Sequence, residues 1–295
     1  MDSRAESLGL AGSVTTILRD LLHERLGLSY QAHQFAQVAD RLAALVIAHG
    51  FGSFIDYYYL LKYDNDPDEW LRVMDALSVQ ETYFWREIDQ LRAVVDVVVP
   101  MLAATLGGGP LRIWSIPCAT GEEPLTIAML LEEAGWFGRL PIEILGSDAS
   151  PSAIAKARAG RYGERAFRNL PPALRERYFT VSGSQAVVDP GLHARVRYDV
   201  LNVMDGAAVA AHAAPIIVCR NMFIYFSEQS IRRSCQAFAA SMPRPGYLCL
   251  GASESLLRLA TPFDLREIGG AFIYVVDAPP AHTGAAYAAP ERTSV

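Results

Sequence analysis

Cysteine is scarce in this chain: four residues in 295, at positions 118, 219, 235 and 249. None forms a CxxC pair or a His/Cys spacing suited to a metal, which argues against a redox dithiol and a zinc site. The four thiols read as buried and reduced. Long apolar runs are also lacking; no segment approaches the ~20 residues of a membrane helix. The first seven residues hold no apolar h-region, so the sequence predicts a cytoplasmic protein. Positive charge is not in excess either. With 26 Lys and Arg against 32 Asp and Glu, the net charge of −6 gives no global attraction to nucleic acid or anionic lipid.

A further shortage, of glycine, falls in the stretch Arg112 to Leu131. The run Leu111 to Ile116 has the length and branching of a buried parallel strand, Gly121 permits a sharp turn, and a helix follows. Glu122 and Glu123 occupy its first turn, and Pro124 fits there because it has no N–H to lose. A pyrophosphate loop would need several glycines and no carboxylates at that helix end. One glycine and two glutamates suit a cationic, phosphate-free nucleotide such as S-adenosylmethionine. The next strand, Ile142 to Asp148, ends on a carboxylate at the sheet edge where such folds bind ligands, and Asp148 is the expected ribose ligand. Ser150 is free to cap the following helix in its place.

Residues 14–95 read as an all-helical N-terminal domain, broken at Gly27 to Tyr30, His49 to Ser53 and Asp64 to Pro67. A further helix, about 91–106, ends at the glycine run 107–109. From Leu111 strands alternate with helices: strands at 112–118, 142–148, 196–200, 216–219 and 247–250, and helices at 122–134 and 151–159. The fold class is α/β, a mostly parallel Rossmann-like sheet covered on both faces, over residues 96–277. Gly269-Gly270 joins a closing hairpin. Between about 162 and 195 the alternation fails, which marks a small inserted β-subdomain. Residues 278–295 read as a disordered tail.

Four segments occur together in order: Ser78-Val-Gln-Glu-Thr-Tyr-Phe-Trp-Arg-Glu87, Ala119-Thr-Gly-Glu-Glu-Pro124, Gly146-Ser-Asp148 and Val218-Cys-Arg-Asn-Met-Phe-Ile-Tyr-Phe226. Together they resemble the CheR family of chemotaxis methyltransferases over roughly residues 14–277. The resemblance implies a helical domain followed by a class I S-adenosylmethionine-dependent methyltransferase domain with an antiparallel insertion. The implied reaction is methyl transfer to glutamate side chains of chemoreceptors or related sensory proteins, giving γ-methyl esters. It further implies cofactor contacts at Gln80, Thr82, Arg86, one of Glu122 and Glu123, Asp148, Asn202, Val203, Arg220 and Asn221. Arg86 would lie beside the methionine end and guide the substrate carboxylate, and Tyr225 would face the reaction centre. Thr82 and Arg86, four apart, would share a face if helical. Phe84, Trp85, Phe223 and Phe226 read as packing residues. No metal is expected.

The chain departs from the family at Gln80, where Asn is usual, and at Trp85, where Phe is usual. Ser182-Gly-Ser184 stands where members that bind a C-terminal pentapeptide tether carry Gly-X-Gly, so recognition without that tether is expected. The helix from Gln34 to Leu45 holds Arg41 as its one certain cation, although its family counterpart is basic and docks acidic receptor helices. Alternative readings are a small-molecule methyltransferase, an NAD-dependent oxidoreductase, which the Glu-Glu loop disfavours, and a non-catalytic regulatory module that binds S-adenosylmethionine or S-adenosylhomocysteine.

Overall fold

The structure, a computed structural model, describes residues 8–277 apart from 11 and 106; the expected disordered tail lies outside the described residues. Four N-terminal helices, α1 (Gly12–Leu26), α2 (Phe35–Ala48), α3 (Phe54–Tyr59) and α4 (Pro67–Leu77), form a bundle. The breaks between them fall at the three expected segments. Ser53 caps α3 by accepting from Asp56 N, and Asp66 caps α4, with Pro67 in its first turn. Leu18, Leu22, Phe35, Leu42, Phe54 and Val73 make the bundle core, which ends at Leu77.

Residues 78–87 hold no helix or strand. Beyond them Ile88–Ala93, Val94–Val98 and Val99–Ala103 run on as one helix, α5, with a π turn in its middle. Pro100 accounts for that turn, because its ring has no N–H and would clash with the carbonyl four residues back in a regular α-helix. Leu91, Val94, Val95 and Val98 pack into the same core as the sheet strands. Residue 95 lies inside this helix, which packs with the sheet.

Seven strands form the main sheet in the order β6-β2-β1-β7-β8-β10-β9. These are β1 (Leu111–Ser115), β2 (Ile142–Asp148), β6 (Val196–Val200), β7 (Ile216–Val218), β8 (Gly246–Cys249), β9 (Asp264–Ile268) and β10 (Ala271–Val276). The first five pair in parallel, and β10 runs antiparallel to β8 and β9. β7 and β8 are buried throughout, as their unbroken apolar runs require when both sheet faces are covered. Helices α6 (Glu122–Glu133), α7 (Pro151–Ala159), α9 (Gly206–Ala211) and α10 (Glu228–Ser241) cover the sheet. One face packs around Ile113, Leu125 and Ile127, the other around Trp114 and Phe238.

The expected insertion is a three-stranded antiparallel sheet, β3 (Arg161–Tyr162), β5 (Gln185–Val188) and β4 (Phe179–Ser182), with α8 (Pro172–Tyr178) leading into it. Phe84 anchors the linker to this subdomain, with its ring 4.8 Å from Tyr162, 5.4 Å from Phe167 and 5.0 Å from Phe179. All four cysteines are buried and unbridged. Among the described residues no His, Cys, Asp or Glu cluster could hold a metal, and no helix is long and apolar enough to cross a membrane.

Candidate active site

A cavity of about 370 Å³ opens at the carboxyl ends of β1, β2, β6 and β7. β1 has β2 on one side and β7 on the other, so the chain reverses its order across the sheet there, and an open α/β sheet leaves a crevice at that point. The opposite wall comes from the helical bundle and the linker, including Tyr30, Arg41, Met74, Thr82 and Arg86. Several bonds close the bundle onto this rim. Ser29 N donates to Tyr225 O at 2.8 Å, and Asn202 Nδ2 donates to Arg25 O at 2.9 Å.

On the sheet side, the loop after β1 bends through Ala119 (φ 46°) and Gly121 (φ 96°). A Cβ at Gly121 would lie 3.0 Å from both Ala157 Cβ and the Tyr198 hydroxyl, so close packing as well as φ demands glycine. Asp148, 6% exposed, accepts from Ala119 N at one oxygen and from Ser150 N at the other, each at 2.9 Å. Each oxygen keeps a further lone pair, as a vicinal diol requires. Burial raises the Asp148 carboxyl above its ordinary range, against those two N–H bonds. Ser150 caps α7, accepting from Ala153 N, and is held by Asp75. Leu201 and Val203 add apolar walls suited to a ring. This donor and wall chemistry fits S-adenosylmethionine: a carboxylate for the ribose and apolar sides for the base.

The two glutamates of α6 part company. Glu123 lines the cavity, and its carboxylate accepts from Ser115 Oγ and from Arg220 Nε, each at 2.7 Å. Glu122 is 4% exposed, accepts from Thr120 Oγ1 at 2.6 Å and is absent from the cavity wall; burial raises its carboxyl.

Thr82 and Arg86 both line the cavity, but on irregular chain and a turn, where helical spacing does not apply. The chain passes through left-handed conformations at Trp85 (φ 68°) and Glu87 (φ 48°), one on each side of Arg86. Such backbone is strained for non-glycine residues and must be held by its surroundings. Arg220 holds it. Its buried guanidinium donates to Arg86 O and Glu87 O, each at 2.9 Å. Burial opposes the charge on Arg220, and Glu123 with Glu87 more than offsets it, so its pKa is raised. Arg220, which also lines the cavity, thus braces Arg86. Arg86 donates to Glu81 O at 3.0 Å and lies 3.6 Å from Glu87.

Gln80 does not line the cavity. It joins the linker to α7, donating to Ser150 and Ser152 and accepting from Lys156 Nζ at 2.8 Å. Asn202 lines the wall while its amide is engaged by Arg25 O and Met204 N. Asn221 and Tyr225 line the rim beyond β7, with Tyr225 38% exposed.

One acidic residue, Glu254, escaped the sequence reading, as did the backbone contacts of Glu87. Glu254 accepts from Gly251 N and Asn221 N at 2.7 Å and from Phe223 N at 2.6 Å, fixing the loop that carries Asn221 in its left-handed conformation (φ 60°). Glu87 accepts from Asn221 Nδ2 at 3.3 Å and Ala252 N at 2.9 Å. The available signal for Glu254 was its place just after β8, at the same sheet edge as the β7 loop.

Two family models cover most of the chain: "CheR methyltransferase, all-alpha domain" matches residues 16–78, and "CheR methyltransferase, SAM binding domain" matches residues 80–270. The chain is similar to chemotaxis protein methyltransferase 2 of Vibrio cholerae, 33% identical over 84% of this chain and 88% of that one. It is similar also to the chemotaxis protein methyltransferase of Borreliella burgdorferi, at 29% identity over 80% of this chain and 86% of that one. The Escherichia coli chemotaxis protein methyltransferase is 30% identical, with 88% of this chain and 91% of that one aligned.

Proposed function

The chain belongs to the CheR family of S-adenosylmethionine-binding methyltransferases, and from that premise we propose that it methylates glutamate side chains of chemoreceptors or related sensory proteins. The products would be glutamate γ-methyl esters and S-adenosylhomocysteine, and the purpose adaptation of a sensory signal. The observation that carries this reading is Arg86, braced by Arg220 on the wall of the same cavity that holds Asp148.

When bound, the cofactor supplies an electrophilic methyl group on a sulfonium. A substrate glutamate is ionised at neutral pH and needs no general base to act as nucleophile. The protein's task is therefore alignment and exclusion of water. Arg86 would orient the carboxylate by paired hydrogen bonds while keeping its own charge. Tyr225 would add a polar contact at the rim, and Asp148 with Val203 would hold the nucleoside. Of the α6 pair, Glu123 is our assignment for the cofactor-facing acid, because it lines the cavity and Glu122 does not. The buried, unbridged thiols suit a reducing compartment, and we place the protein in the cytoplasm.

Calorimetric titration with S-adenosylhomocysteine tests the cofactor assignment: wild type binds and Asp148→Ala binds at least about tenfold more weakly. Transfer of label from S-adenosylmethionine to a base-labile ester on a receptor fragment tests the substrate. Cofactor binding without any labelled protein would favour the regulatory module instead.

A further inference from the structure

Residues 156–178 carry seven Lys and Arg against two Glu, in a chain whose net charge is −6. The sign of the molecule is thus reversed locally, on α7 and the start of the insertion. Part of this charge meets the cavity rim. Lys156 and Arg165 are exposed; Lys156 donates to the neutral amide of Gln80, and its charge also helps to lower the carboxyl of Asp75. Among the described residues Arg165 has no carboxylate partner within ion-pair distance; Glu81 feels it from further away. Arg168 packs its guanidinium 3.6 Å from the centre of the Tyr83 ring, and Arg86 approaches the same ring at 5.6 Å. Carboxylates offset part of this charge: Glu81 accepts from Arg168 Nη2 at 2.8 Å, Glu87 lies 3.6 Å from Arg86, and Asp75 faces Lys156, while Arg165 keeps its charge free of an ion pair among the described residues. Glu81, Tyr83 and Arg86 all line the cavity, so the basic strip is continuous with its mouth.

We propose that the strip formed by Lys156, Arg165 and Arg168 beside Arg86 is the docking surface for an acidic segment of the methyl-accepting protein. This rests on the protein-glutamate reading above and adds where the substrate is recognised. The α2 helix offers little for that purpose: Arg41 is its one Lys or Arg and points its guanidinium to Leu77 O at 3.4 Å. An acidic partner is repelled by the molecule as a whole and attracted at this face, which orients its approach towards Arg86. The guest we favour is a carboxylate: Arg168 already takes one, from Glu81 through a single bond at 2.8 Å that leaves further N–H donors, and Tyr83 gives the guanidinium groups a flat apolar backing.

Fluorescence anisotropy with a short labelled poly-L-glutamate peptide, run beside poly-L-glutamine, tests this surface at low ionic strength and at about 0.15 M salt. Wild type binds the acidic peptide and not the neutral one, with affinity falling as salt rises. Lys156→Gln/Arg165→Gln weakens that binding at least about tenfold. Arg232→Gln/Arg266→Gln removes equal charge from the exposed faces of α10 and β9 and changes it less than about twofold. Equal loss in both double variants, or no peptide binding by wild type, overturns the proposal. So does tighter binding of a single-stranded oligonucleotide that the Lys156/Arg165 pair also controls. S-adenosylhomocysteine titration of the same samples separates the two claims: normal cofactor binding with no peptide binding denies the docking surface alone, whereas absent cofactor binding denies the methyltransferase reading itself.

Discussion

Glu254 gathers three backbone N–H groups onto one half-buried carboxylate, and Glu254→Ala would leave them without that acceptor beside the cavity. We expect that substitution to cost about 3 kcal/mol in urea unfolding and to lower turnover more than cofactor affinity, since Asp148 is untouched. Asp148 itself gives a pH prediction. Burial raises its carboxyl, and the ribose contact we propose for it would need the ionised form, so affinity for S-adenosylhomocysteine should be full above the raised pKa and fall as pH drops through it. Calorimetry against pH should place this loss above the ordinary aspartate value of about 3.9, and Asp148→Asn should flatten it. Asp148 was legible in the sequence because strand, turn and helix punctuate the chain around it. Glu254 was not, because its three partners come from two separate loops that only the sheet order brings together.

Within the bundle, α4 depends on Glu69, which is buried and accepts from Tyr57 OH at 2.5 Å and Arg72 Nη1 at 2.7 Å, with His49 Nε2 at 2.9 Å. Burial alone would raise its carboxyl, but the bonds from Tyr57, His49 and Arg72 outweigh it and the pKa is lowered. A lowered native pKa contributes stability above the unfolded value of about 4.3, lost as pH falls through the native one. Glu69→Ala should therefore cost about 3–5 kcal/mol at pH 7 and progressively less as pH falls below the unfolded value and through the lowered native one, read by urea melts across an acid pH series. The insertion shows what elements leave unsaid: its short strands gave little periodicity, and β4 and β5 exist because Gly183, at φ 64°, turns the chain between them.

On the scale of the whole molecule, the bundle and the sheet meet at the cavity, and their join is built from the α1–α2 connection. Leu28 bridges Phe226, and His23 Nε2 lies 2.7 Å from Ser227 Oγ. Gly27 permits this approach: its φ is 76°, and a Cβ there would stand 2.8 Å from Met204 Sδ and 2.9 Å from Phe226. Gly27→Val should loosen the join, costing about 1–3 kcal/mol, weakening S-adenosylhomocysteine binding and exposing residues 27–30 to limited proteolysis, with helix content unchanged by circular dichroism. The sequence by itself determined the order of helices and strands, the sheet edge that carries Asp148 and the family motifs, because those depend on periodicity, caps and turns between near neighbours. Tertiary structure alone decided that Glu123 rather than Glu122 lines the cavity, that Gln80 ties the linker to α7, and that Arg220 braces Arg86. Each of those outcomes turns on which way a side chain points once distant segments are packed, and local spacing holds no record of that direction.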